Sequence, residues 1–125
     1  MLKVDDVSVS YGKSQVVYNV SFEIKDDEKL ILLGRNGVGK TTLLKSIIGL
    51  LPAKTGDISL NSDKVTKLKP YERSRKGIAY VPQGREIIPQ LTVQENLELG
   101  ALAHKVDYAK KVEEIFEYFP VLTQH

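Results

Sequence analysis

The fold of this chain is decided by nine residues, Gly34-Arg35-Asn36-Gly37-Val38-Gly39-Lys40-Thr41-Thr42. The first eight match the pattern G-x-x-x-x-G-K-[ST], a glycine loop that surrounds phosphate groups. Glycines permit backbone conformations that are closed to other residues, and their lack of side chains lets successive N–H groups form a concave anion site. An apolar run at 30–33 precedes the loop, and an apolar stripe of helical spacing follows it from Leu43 to Leu51. The order strand, loop, helix therefore predicts a phosphate site.

Each polar residue of the loop has a predicted task. The helix that starts near Lys40 presents its positive dipole end to the anion. The Lys40 ammonium reaches the β- and γ-phosphates, and the Thr41 hydroxyl ligates Mg²⁺. Thr42 either bonds the α-phosphate or simply caps the helix. The alternatives for the whole loop are a turn without a ligand and a dinucleotide fingerprint, but the latter needs glycine where Thr42 stands.

The sequence on either side of the loop predicts an α/β fold. Alternating apolar residues around Val9 and Val20 indicate a small antiparallel unit at the N-terminus, with a turn at 11–14. The runs 30–33 and 78–81 are apolar on both faces, as in buried strands of a parallel sheet. Residues 55–57 are predicted to form a turn that leads into a short strand at 58–60. Pro70 is predicted to be the first residue of a short helix that ends at Gly77. Thr92 opens a further helix, and an apolar face marks a last one before Pro120.

Bulk properties restrict the class of protein. The 125 residues suffice for one domain, and 18 basic against 16 acidic residues leave a net charge of +2, which gives no reason to expect nucleic acid as partner. The absence of cysteine excludes disulfides, thiolate metal sites and a cysteine nucleophile. No run approaches the ~20 apolar residues that span a membrane, and the first residues lack the apolar core of a signal peptide.

The motifs resemble those of the ABC-transporter ATPases. The loop 34–42 is similar to their Walker A sequence, Tyr80-Val81-Pro82-Gln83 to their Q-loop, and residues 91–97 to the start of their helical subdomain. The resemblance covers essentially the whole chain. It implies a P-loop NTPase (RecA-like) core with an N-terminal antiparallel β-subdomain over residues 1–93 and an incomplete α-helical subdomain over 94–125. It also implies ATP and Mg²⁺ as ligands.

The resemblance also assigns roles to residues beyond the loop. Tyr11 stands where the family keeps an aromatic ring that stacks on adenine, and Val17 is expected to line the same pocket. The alternative for Tyr11 is a half-buried tyrosine in a small sheet. Gln83 follows a predicted strand and is expected to ligate Mg²⁺ and to orient the attacking water, while a plain loop glutamine is the alternative. With Lys40, Gln83 forms the predicted catalytic set.

Three family elements do not occur in this sequence: the Leu-Ser-Gly-Gly-Gln-like signature, the Walker B strand with its catalytic glutamate, and the switch histidine. We assign no catalytic role to His104 or His125, and expect the acidic residues to form a solvated helix face (Glu113, Glu114 and Glu117). The sequence therefore predicts a chain truncated before the signature and Walker B elements. Such a chain binds ATP but is inactive as an ATPase by itself, and its uncovered apolar strands favour self-association.

The run Gln83-Gly84-Arg85-Glu86-Ile87 is similar to ATP-binding subunits of branched-chain amino acid importers and, more closely, of urea or short-chain amide importers. The resemblance implies permease subunits, a second ATPase subunit and a solute-binding protein as partners, no nucleic acid, and a cytoplasmic position on the inner face of the plasma membrane. Arg85 and Glu86 either couple to the permease or are exposed loop charges. A nucleotide-binding module without catalysis and a non-transport ABC ATPase remain as alternatives.

Overall fold

The computed structural model describes residues 1–35, 39–84, 86–102, 104 and 106–124. The chain consists of two compact units, Met1–Ala79 and Tyr80–His125. The first unit contains all the β-strands of the described residues, together with two helices. The second unit is helical.

The first unit is built on a four-stranded antiparallel sheet. Its strands are β1 (Leu2–Tyr11), β2 (Ser14–Ile24), β3 (Thr55–Leu60) and β4 (Asp63–Lys64), in the order β2-β1-β3-β4. β1 lies in the middle, where Val4 pairs with Phe22 on one side and Ile58 on the other. The alternating apolar residues of β1 and β2 thus form the N-terminal antiparallel unit that the sequence predicts.

One face of this sheet carries the hydrophobic core. The helix α1 (Lys40–Ile48) packs on it through Leu43 and Ile47, and Gly49 ends the helix in a left-handed conformation at φ 91°. The short helix α2 (Pro70–Arg75) follows β4, with Pro70 at its first turn as expected. The buried apolar side chains are Val4, Val7, Val9, Val17, Leu43, Ile47, Ile58 and Val65.

The predicted turn at 55–57 is wrong, because these residues already belong to β3. Gly56 makes this possible at φ +87°, a conformation that other residues rarely adopt. A Cβ at this position would contact the Asp6 carbonyl oxygen and lie 2.5 Å from the Asp6 carbonyl carbon. The close approach of β3 to an irregularity of β1, between Asp5 and Ser8, therefore requires glycine.

The predicted buried strands at 30–33 and 78–81 are also wrong. Neither run is a strand, and the exposed fractions reach 79% at Ile31, 88% at Leu33 and 92% at Val81. A strand forms when a neighbouring strand satisfies its backbone N–H and C=O groups, and the described residues offer no such partner to these two runs. Their apolar composition is typical of a strand covered on both faces, but composition alone does not supply the neighbour.

The second unit contains α3 (Val93–Leu102), α4 (Tyr108–Tyr118) and a 3₁₀ helix (Pro120–Gln124). The predicted capping box opens α3: the Glu95 N–H donates to the Thr92 hydroxyl at 3.1 Å, and the Thr92 N–H donates to the Glu95 carboxylate at 2.8 Å. Asp107 caps α4 by accepting from the Lys110 N–H. Among the residues that the structure describes, no helix combines the length and apolarity needed to cross a bilayer.

Candidate functional site

The described part of the loop reaches α1 through Gly39, which precedes the helix at φ 99°. A Cβ at Gly39 would lie 2.8 Å from the Val16 carbonyl oxygen and 3.1 Å from Cγ2 of Val17. The loop therefore rests directly on β2, and a side chain at this position would push it away from the sheet. Gly39 also begins the helical hydrogen bonding, since its carbonyl accepts from the Leu43 N–H at 2.8 Å.

The charge distribution at the N-terminus of α1 favours a bound anion. The first turn contains no acidic side chain, and no side chain caps the helix. Because the first N–H groups of a helix have no intrahelical acceptor, they remain free to donate to a ligand, and the helix dipole adds roughly half a positive charge there. The Lys40 ammonium lies at the same end and donates to the Gly34 carbonyl oxygen at 2.5 Å. Lys40 thus spans the loop from its last residues to its first.

The structure brings together part of the predicted phosphate-binding set. Gly34, Arg35 and Thr41 are exposed, and Thr42 is half-buried on the first turn of α1. Thr41 is the predicted Mg²⁺ ligand of this set, and that role stays a prediction. Asn36, Gly37 and Val38 lie outside the described residues.

The two residues predicted to contact adenine differ in exposure. Tyr11 ends β1 and is 63% exposed, so its ring face is free to stack on a base. Val17 is 5% exposed and belongs to the hydrophobic core, where it supports Gly39. With half-buried Val16 and exposed Tyr18 it borders a cavity of about 320 Å³ beside Lys40. Contact of Tyr11 or Val17 with a base stays a prediction.

Gln83 belongs to the second unit, where it is exposed in a bend after Pro82. Its exposed amide oxygen and the Thr41 hydroxyl are both hard oxygen donors, which Mg²⁺ prefers. The described residues contain no cluster of three His, Cys, Asp or Glu side chains for a metal. Each of the two donors by itself suits Mg²⁺, and ligation of the ion by either residue stays a prediction.

The acidic residues singled out near the end of the sequence lie on the surface of the second unit. Glu113, Glu114 and Glu117 are exposed on α4, and Glu114 pairs with Lys111 at 3.0 Å. His104 lies in a turn between α3 and α4 and Glu86 is exposed, whereas Arg85 and His125 fall outside the described residues.

Sequence reasoning missed Arg73, the buried arginine of α2. Its guanidinium is 3% exposed and donates four hydrogen bonds of 2.7 to 3.0 Å to backbone carbonyls: those of Ser46 and Ile47 at the end of α1, and those of Thr66 and Leu68. Burial lowers the pKa of Arg73 from its usual value. The polar sequence of α2 gives no signal of this burial, because it also contains Arg75, two residues further along, which is exposed.

Arg73 supports the C-terminal end of α1. A cation near the C-terminal carbonyls of a helix opposes the negative end of its dipole. Gly49 makes room for the arginine, since a Cβ there would lie 3.0 Å from Nε of Arg73. The helix is therefore held at one end by contact of Gly39 with β2 and at the other by Arg73.

Comparisons with known proteins agree with this geometry. A family model described as ABC transporter matches residues 17–124, which is most of the chain. The chain belongs to the ABC transporter family. The resemblance stated from the Walker A and Q-loop motifs is thereby confirmed.

Relatives and solved structures place the chain within this family. It is 40% identical over 125 residues to the high-affinity branched-chain amino acid transport ATP-binding protein BraG of Pseudomonas aeruginosa, covering 99% of this chain and 54% of BraG. It is 35% identical to the probable branched-chain amino acid transport ATP-binding protein LivF of Archaeoglobus fulgidus, covering 98% and 52%. The chain therefore spans about half the length of these relatives.

Two solved structures confirm the fold class. An ATP-binding subunit of an ABC transporter is 36% identical with a TM-score of 0.73, covering 82% of this chain and 42% of the other. A dimeric ATP-binding cassette in a post-hydrolysis state, bound to ADP and Pi, is 30% identical with a TM-score of 0.72, covering 82% and 47%. The described residues thus form a short α/β part of an ABC cassette, including its antiparallel sheet.

Proposed function

We propose that this chain forms the phosphate-binding part of the ATP-binding subunit of an ABC importer, which couples binding and hydrolysis of ATP to uptake of a small polar solute. The observation that carries this proposal is the N-terminus of α1. This helix end has no acidic residue in its first turn, carries the Lys40 ammonium and follows a glycine that contacts β2. These features occur in a chain of the ABC transporter family.

The residues of the first unit bind and orient the triphosphate. The Lys40 ammonium exchanges the neutral Gly34 carbonyl for negatively charged β- and γ-phosphate oxygens, so that both partners of the contact are then ionised. The free N–H groups of the first turn of α1 hold the phosphate oxygens, while the Tyr11 ring stacks on the base. The Thr41 hydroxyl and the Gln83 amide are the proposed protein ligands of Mg²⁺, which would neutralise phosphate charge when bound.

The transported solute is proposed from the relatives. BraG and LivF are both described as branched-chain amino acid transport proteins, which favours a branched-chain amino acid. The Gln-Gly-Arg-Glu-Ile run at 83–87 instead favours urea or a short-chain amide. Only this sequence pattern supports that alternative. The solute is chosen by other subunits, so substitution of residues in this chain is not expected to change it.

We also propose the assembly that such a subunit enters. A dimeric cassette among the related structures supports a second ATPase subunit as partner. The names of BraG and LivF support permease subunits in the membrane and, with them, a position on the inner face of the plasma membrane. A solute-binding protein completes the proposed system. Arg85 and Glu86 are the proposed contacts of this chain with the permease.

The chain by itself is proposed to bind ATP without hydrolysing it. The sequence contains neither the signature that covers the γ-phosphate from the second subunit nor the glutamate that polarises the attacking water. Because phosphoryl transfer depends on positioning and charge stabilisation, the loss of both groups removes turnover while the Lys40 contacts remain.

Calorimetry of Mg·ATP binding, with ATP turnover assayed on the same sample, tests these proposals. The chain should bind Mg·ATP, and Lys40→Ala should weaken binding at least tenfold. Lys45→Ala is the matched control, since Lys45 lies one turn further along α1 and should leave the affinity unchanged. Equal affinities for both variants would contradict the assigned site, and turnover by the chain would contradict the predicted inactivity.

A non-transport ABC ATPase and a nucleotide-binding module without catalysis are the other candidate functions. Assay of the chain joined to the missing family elements separates them. Turnover that permease-containing vesicles stimulate would support the importer, while binding without turnover in the completed protein would support the module.

A further inference from the structure

A second cleft of the first unit lies between β3 and α2, with a volume of about 540 Å³. Volumes of about 300 to 1,000 Å³ are usual for small-molecule sites. Lys54, Lys67 and Lys69 line this cleft, and Arg73 contributes to its buried wall. All its lining residues belong to one compact unit.

The lysines of this cleft outnumber the carboxylates near it, which include Glu72, an acceptor from the Lys69 backbone N–H at 2.8 Å. Asp57 is the acidic residue of the lining, and its carboxylate is already paired with Lys64 at 3.2 Å. Within the described part of the chain, Lys54, Lys67 and Lys69 form no ion pair. Three ammonium groups around one concave surface repel each other, and a bound anion would relieve this repulsion.

The buried wall adds a fourth positive charge. The Arg73 guanidinium donates only to carbonyl oxygens, so its net charge is not neutralised by an acidic side chain among the described residues. Charge in a concave, partly desolvated site is screened less than charge on an open surface. The cleft therefore places four positive charges along one concave surface.

We propose that this cleft binds a phosphate-bearing small molecule, at a site separate from the phosphate loop. Lysine ammonium groups suit phosphate because they are compact point charges with three donors each. The apolar part of the lining, Pro52, Ala53 and Leu68, accommodates the organic part of such a ligand.

The proposed ligand does not occupy the loop at the other end of α1. Lys40 begins this helix, and Gly49 of the cleft follows its last residue. A helix of nine residues is about 14 Å long at ~1.5 Å per residue. The loop and the cleft thus lie at opposite ends of one helix. Substitutions can therefore be made in one of these sites without changing residues of the other.

Binding of inorganic triphosphate to the Lys40→Ala variant tests the proposal, because this variant removes the main cation of the loop. Titration calorimetry at low salt should still show one binding event. Lys54→Gln, Lys67→Gln and Lys69→Gln together should reduce its affinity at least tenfold. The matched control, Lys25→Gln, Lys29→Gln and Lys110→Gln together, has the same net charge and should retain the affinity.

Three results would overturn the proposal: no binding of triphosphate to Lys40→Ala, retained affinity in the cleft variant, or equal losses in the cleft and control variants. The last result would show attraction by net charge alone. Tighter binding of a short poly-glutamate peptide than of triphosphate would also overturn it, in favour of an acidic protein segment. Since all six substituted lysines are on the surface, unfolding is not expected to obscure the comparison.

Discussion

Arg73→Met is the substitution that tests the support of α1 most directly. Methionine restores much of the apolar volume of the side chain but removes all four donors. The carbonyls of Ser46 and Ile47 then lose their side-chain donor in a buried environment, as do those of Thr66 and Leu68. The end of α1 should consequently be destabilised more than the sheet.

The expected cost follows from the contacts. Hydrogen bonds to a charged group contribute about 1.5–3 kcal/mol each, so four bonds give a gross contribution of about 6–12 kcal/mol. Burial of the guanidinium opposes this by several kcal/mol, which the variant recovers. The net loss should be about 3–5 kcal/mol, a large part of the ~5–15 kcal/mol by which most domains are stable. At a typical urea dependence of about 2 kcal/mol per molar, the midpoint falls by roughly 2 M.

Urea unfolding followed by circular dichroism measures this loss, with amide exchange of α1 as a local readout. Arg75→Met is the matched control, because Arg75 is exposed and its guanidinium carbon lies 5.3 Å from the centre of the Tyr71 ring. Such a cation–π contact contributes about 0.5–1 kcal/mol at an exposed site. Equal midpoints for the two variants would refute the assigned role of Arg73. Arg73→Lys should fall between them, because lysine keeps the charge but not the planar set of donors.

Three further predictions concern the sheet and the exposed run before the loop. Gly56→Ala should lower the unfolding midpoint in urea well below that of Gly77→Ala. Both glycines have positive φ, but Gly77 has open space around it, whereas Gly56 is crowded against β1. Equal losses in the two variants would contradict this crowding. Ile58→Ala should cost about 2–5 kcal/mol in the same assay, since Ile58 is fully buried at the centre of the core, and a loss below 1 kcal/mol would place it outside that core. Light scattering should show concentration-dependent self-association that Ile31→Lys combined with Leu33→Lys reduces, because both apolar side chains are exposed; a monodisperse monomer would refute this.

The elements that the sequence predicts well are those whose signals are local. The alternation in β1 and β2, Pro70 at the start of α2 and the Thr92 capping box depend on residues a few positions apart, and all three are confirmed. The signal of the glycine loop is equally local, since it is contained in nine consecutive residues, but phosphate binding by the loop stays a prediction.

The predictions that failed depend on distant partners. The run at 30–33 has the composition of a buried strand, but a strand is made by the backbone of its neighbour, and the described residues do not provide one. The burial of Arg73 was missed because its hydrogen-bond partners are also distant in the sequence. Its four acceptors lie between 5 and 27 residues away, and no pattern within α2 distinguishes it from Arg75.

The division of the chain into two units separates the two halves of the proposed chemistry. Gly39, Lys40 and Thr41 are held by contacts within the first unit, from β2 at one end of α1 to Arg73 at the other. Gln83 belongs to the second unit, and its position depends on different contacts. The proposed phosphate binding therefore depends on the fold of the first unit, whereas the proposed role of Gln83 depends on that of the second. Binding of ATP is accordingly the more robust of the two properties, and should persist in variants of the second unit that leave the first intact.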